Sequence, residues 1–184
     1  NVRITAGLAS AQGQHSSAVG GDVKIVGGTS NAKAGTGGRV IIQSGDSATR
    51  SSGAVMIASA DAGNSGGVSG SLEFSTGSST SGDSGRVLLT TGNAFAGGKA
   101  GNIDILVGTG AKGRGGDFVA NAGSTAPSSG ETGGHVRLYS GHSATGSSGN
   151  IYLKSADAGS SGVSGTLSFE SGKSTSGDSG EISL

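Results

Sequence analysis

Gly82-Asp83-Ser84-Gly85 recurs as Gly177-Asp178-Ser179-Gly180, a tetrapeptide that surrounds the nucleophile in one class of serine proteases. Such a serine works only when a histidine base and an orienting carboxylate are brought to it. His15, His135 and His142 are scattered over two loops and a strand start, and cysteine is absent. Both copies of the tetrapeptide sit in repeated turns, where Gly supplies positive φ while Asp and Ser supply local hydrogen bonds. Gly108-Thr109-Gly110-Ala111-Lys112-Gly113 has the glycine spacing of a dinucleotide loop, a motif that needs a strand before it and a helix after it. Here Arg114-Gly115-Gly116 follows, and no helix starts there. Gly172-Lys173-Ser174 lacks the upstream glycine of a phosphate loop. Asp22, Asp46, Asp61, Asp83, Asp117, Asp157 and Asp178 recur in turns, but without the tandem Gly-Gly-x-Gly-x-Asp nonapeptides of a calcium-binding roll. They are expected to cap turns through their own backbone. The sequence assigns no catalytic residue, no cofactor and no metal ligand, and reads as non-enzymatic.

What positions these residues is a repeat. The unit is Gly-x-Φ-x-Φ followed by a loop of Gly, Ser, Ala and Asp, with Φ mostly Val, Ile, Leu or Phe. The first Φ falls at Val2, Val23, Val40, Val55, Leu72, Val87, Ile103, Phe118, Val136, Ile151, Leu167 and Ile182. Alternating runs such as Val55-Met56-Ile57 and Ile103-Asp104-Ile105 are strand signals, and no helical period appears. After the first gap, spacings of 15 residues alternate with spacings of 16 to 18. Two loop types therefore alternate. The constant type spans 44–53, 76–85, 107–116, 140–149 and 171–180; the variable type includes 61–67 and the Pro127 loop. A longer echo relates 38–89 to 134–184 at an offset of 95 or 96 residues, which reads as an internal duplication.

These spacings predict an all-β chain. The expected fold is a parallel β-solenoid (β-helix) with two strands per coil of about 31–35 residues, about six coils and two stacked sheets. Residues 1–184 form a single array in this reading. Strand motifs at Asn1-Val2 and Ile182-Ser183-Leu184 lead us to expect a fragment of a longer repetitive chain.

Composition narrows the function classes. Gly contributes 40 of 184 residues and Ser 34, which in an aperiodic chain would signal a flexible linker. The fixed offsets of the Φ pairs argue otherwise, and a single Pro excludes collagen. Twelve basic and twelve acidic residues balance. With no basic stripe, nucleic acid is not an expected partner. No apolar run approaches the length of a membrane span, so membrane insertion is not expected either.

Alternation assigns outward positions. One face would carry Arg3, Ile41, Glu73, Asp104, Arg137 and Ser168, a mostly solvated set. On the other, Met56, Leu88, Val119 and Tyr152 would form an apolar column, a candidate lateral interface with another copy or another filament protein. Glu73 and Asp104 would be neighbours on adjacent coils, too few for a polysaccharide-active enzyme.

The Gly-x-Val-x-Ile-x-Ser-Gly units and Ser-Thr-Ser-Gly-Asp-Ser-Gly linkers resemble Gly/Ser-rich solenoid repeats in large cell-surface and extracellular filament proteins of algae and other protists. Less closely, they resemble repeats of bacterial adhesins and phage fibres. The resemblance spans the chain, rests on repeat style, and carries over no functional residue. It implies an extracellular or cell-surface location and a structural role in a filament, flagellar hair, fibre or surface layer, with self-association laterally or end to end. The alternative is a binding module, either a surface adhesin or an ice-binding solenoid. Against ice stand the mixed outward residues, and against sugar stacking the scarcity of outward aromatics, Tyr139 and Tyr152.

Overall fold

In the computed structural model the described residues are 2–9, 19–64, 66–95, 97–126 and 130–184. The chain divides into two units, Asn1–Thr90 and Thr91–Leu184. Each is a succession of extended apolar runs and loops closed at their base.

Some of the runs keep the two-residue alternation written in their sequence. In the first unit Val55 is 50% exposed, Met56 90% and Ile57 54%, so the outer two lean toward covering chain while Met56 points away. In the second unit Asn150 Nδ2 donates to the Tyr152 hydroxyl at 2.9 Å, and Ser168 Oγ donates to Glu170 Oε1 at 2.7 Å. Side chains two apart meet in this way when the backbone is extended and successive Cβ atoms alternate. The alternation is absent at Val87, Leu88 and Leu89, which are 68%, 63% and 68% exposed, and Ile42 is as exposed as Ile41, at 67% against 66%.

Loops close through paired glycines. In the first unit Gly21, Gly38 and Gly53 donate their N–H groups to the carbonyls of Gly7, Gly28 and Gly45 at 3.0, 2.7 and 2.9 Å. In the second, Gly134 donates to Gly123 and Gly149 to Gly141, both at 2.9 Å. The approach is close enough to require the missing side chain: a Cβ on Gly38 would lie 2.8 Å from the Gly28 nitrogen. Other loops meet at a glycine against a small residue. A Cβ on Gly85 would sit 3.5 Å from Thr76 Cβ, and one on Gly165 would sit 3.4 Å from Ser155 Cβ. Among the described residues the half-buried ones are Ala6, Ala9, Gly27, Ser44, Ser143 and Ser155, most of them at or beside these necks.

Above the neck, a serine caps the constant loops. Ser47, Ser79 and Ser143 accept, through Oγ, the backbone N–H three residues on, from Arg50, Gly82 and Gly146, at 3.0, 3.1 and 2.9 Å. Hydroxyls compete well for such local backbone donors. The 107–116 loop has Gly110 where the others have this serine, and its turn is made instead by Gly113 at φ 82°, a left-handed conformation open to glycine.

The expected all-β architecture is not formed. Among the described residues there is neither strand nor helix, so the chain is not a β-solenoid or β-helix with two strands per coil and two stacked sheets. No described residue is buried. The surface in contact with solvent is 18333 Å² for a mass of 17.3 kDa, whereas a compact chain of that mass exposes about 7,800 Å² and an unfolded one about 25,000 Å². The physical reason lies in where the backbone spends its hydrogen bonds. Five loops tie their two ends by a single N–H···O bond, and among the described residues the apolar runs between necks gain no ladder. With two large apolar side chains per unit and glycine raising the entropy lost on ordering, a run has little to hold it against a neighbouring coil.

Candidate interaction surface

Ser84 and Ser179, the centres of the two Gly-Asp-Ser-Gly turns, are exposed, as are His135 and His142. His15 and Pro127 lie outside the described residues. Gly82, the first residue of one turn, donates its N–H to Ser79, so that turn is a capped loop. Among the described residues there is no cavity and no group of three or more His, Asp or Glu placed to share a metal ion. No helix of the described residues is long and apolar enough to cross a membrane.

The aspartates behave differently from the expectation. Loop caps come from serine hydroxyls, while Asp117 and Asp157 pair with Arg114 and Lys154 at 2.7 and 3.0 Å. Both pairs join residues three apart in exposed chain, where the attraction is weak and screened by salt. Asp83 and Asp178 stay in the turns as small, solvated residues. Serine was expected to supply local hydrogen bonds in the turns, but its cap at one fixed loop position was not singled out. Its signal was present: serine stands three residues into four of the five constant loops, at Ser47, Ser79, Ser143 and Ser174.

The surface that remains is apolar and divided between the units. Met56 and Leu88 belong to the first, Val119 and Tyr152 to the second, and all four are exposed. Met56 and Tyr152 project away from half-covered neighbours, with Tyr152 85% exposed. Leu88 is no more exposed than the residues on either side of it. Glu73 lies in the first unit and Asp104 in the second; both are exposed. Alongside the four candidates, the half-covered runs themselves show apolar side to solvent, including Val40, Ile103, Val107, Ile151 and Leu167. Exposed apolar residues are thus numerous in both units.

No family model, no curated protein and no solved structure matches the chain.

Proposed function

We propose that this chain is a structural, non-enzymatic repeat scaffold that assembles into an extracellular filament, fibre or surface layer. One observation carries the reading: the same closed loop recurs along the chain while the apolar runs between loops stay open to solvent. The neck and cap of 44–53 return at 140–149 with bond lengths equal to within 0.1 Å. A unit that repeats its scaffold and leaves its apolar surface uncovered is suited to building by addition. Met56, Leu88, Val119 and Tyr152 are the side chains proposed to contact neighbouring copies or other filament proteins. The test is electron microscopy of the purified chain over a rising concentration series. Filaments or ordered layers are expected; single particles of constant size at every concentration would overturn the reading.

A further inference from the structure

We propose that the apolar runs pair, backbone to backbone, with the same runs of a second copy of this chain stacked over them in register. This rests on the assembly reading above and specifies its partner and its contact. The pairing runs between chains and does not restore a solenoid within one.

The argument begins with the main chain. Buried or not, each backbone N–H and C=O must be satisfied by protein or by water. Among the described residues, the backbone–backbone hydrogen bonds lie at loop necks, plus one inside a loop from Gly35 to Ala32. None engages Val40–Ile42, Val55–Ile57, Ile103–Val107 or Ile151–Leu153. Val55–Ile57 and Ile151–Leu153 are extended, as their alternating exposure shows, and therefore present rows of donors and acceptors at strand spacing. An edge of that kind is a template for another strand.

Area then sets the size of the partner. Solvent contact exceeds the compact expectation by about 10,500 Å², several times the roughly 1,600 Å² of an ordinary specific interface. A local patch contact would leave most of it open. Stacking along the whole of each unit would cover the runs together, and the half-exposure left on Val55 and Ile57 is the part a layer above and below would remove.

Self-complementarity identifies the occupant as a copy. Identical chains in register place every Val and Ile over itself at about 4.8 Å, and every loop over a loop of its own length. Loop lengths vary along the chain, so another partner would have to match both alternating types. Charged residues are sparse, 12 basic and 12 acidic in 184. Individual charges such as Asp104 and Arg137 would stack on their own kind, so the stack should gain from added salt.

The experiment uses the absence of cysteine. A nitroxide is attached to the full chain through Asp104→Cys, an outward position in the run Ile103–Val107, and the assembled material is examined by electron paramagnetic resonance and fibre diffraction. An exchange-narrowed single line, restored to three lines by dilution with unlabelled chain, and a reflection near 4.8 Å are expected. Ile105→Pro is the second variant. Among the described residues the Ile105 N–H makes no backbone bond, so proline there should leave the free chain's loop resonances unchanged and raise the concentration needed for assembly at least tenfold. Assemblies that give three lines and no such reflection would overturn the stacking while leaving the scaffold reading intact. Absence of assembly in the unsubstituted chain would overturn both. Strand signal that appears in a chain of monomer size, independent of concentration, would show the runs pairing internally and also overturn the proposal.

Discussion

The loops 44–53 and 140–149 differ at two of ten positions: Asp46 against His142 and Arg50 against Gly146. Their geometry is the same. Gly53 donates to Gly45 and Gly149 to Gly141 at 2.9 Å, and Ser47 and Ser143 accept from the residue three on at 3.0 and 2.9 Å. The differing side chains take no part in either bond. Closure thus uses two glycines and one serine, and the two positions that differ have no consequence for it. A second pair teaches the limit. Gly28 and Gly38 close tighter than Gly123 and Gly134, at 2.7 against 2.9 Å, over a loop one residue shorter.

The tighter neck should break first. A Cβ on Gly38 would lie 2.8 Å from the Gly28 nitrogen, while one on Gly134 would lie 3.3 Å from the Gly123 nitrogen. Gly38→Ala should therefore open its neck by about 1–3 kcal/mol, read as faster amide exchange at residue 38, and Gly134→Ala by clearly less. Equal exchange in the two variants would remove the distinction.

Next in size is the left-handed turn. Gly113→Ala forces a Cβ onto φ 82°, at a cost of about 1–2 kcal/mol, whereas Gly146→Ala at the matching place in its loop carries no such penalty. Chemical shifts across 107–116 and 140–149 would report it; an undisturbed 107–116 loop in the alanine variant would contradict the conformation.

Serine caps come third. Ser47→Ala and Ser143→Ala should each weaken the loop by about 0.5–1.5 kcal/mol, the net worth of a hydrogen bond, and by amounts alike within a few tenths. Exchange rates at Arg50 and Gly146 measure this directly, and an effect confined to one loop would end the equivalence of the pair. The smallest effect belongs to the exposed ion pairs. Arg114→Ala and Lys154→Ala should change loop populations by about 0.5 kcal/mol or less, and by less still in molar salt. A large salt-resistant change in chemical shifts around Asp117 or Asp157 would show that these pairs organise more than themselves.

The alternation of the runs was legible because a period of two follows from extended backbone alone. Met56 between Val55 and Ile57 faces away as its pattern says. What the pattern does not encode is a neighbour. Val87-Leu88-Leu89 has three apolar residues and no polar one to mark an outer face, and its exposure is flat. The apolar column through Met56, Leu88, Val119 and Tyr152 required ladders to line it up, and no residue type announces a ladder. Loop closure was readable in part. Glycine after each loop was visible in the repeat, but its bond back to the earlier glycine was not, because turn propensity alone does not say which two ends meet. Asp46 and Asp83 were expected to cap turns through their own backbone, while Ser47 and Ser79, one residue type among 34 copies, supplied the caps.

Each neck also makes the chain a store of slack. Gly45 and Gly53 are held together by one N–H···O bond of 2.9 Å, and the eight residues from one to the other would reach about 27 Å if drawn out. Tension applied along the chain would act on these bonds one after another, each failing at low force, paying out its loop, and closing again when the load falls. A single-molecule extension trace should then show small reversible steps of similar length, in place of the one large event that marks the rupture of a packed core.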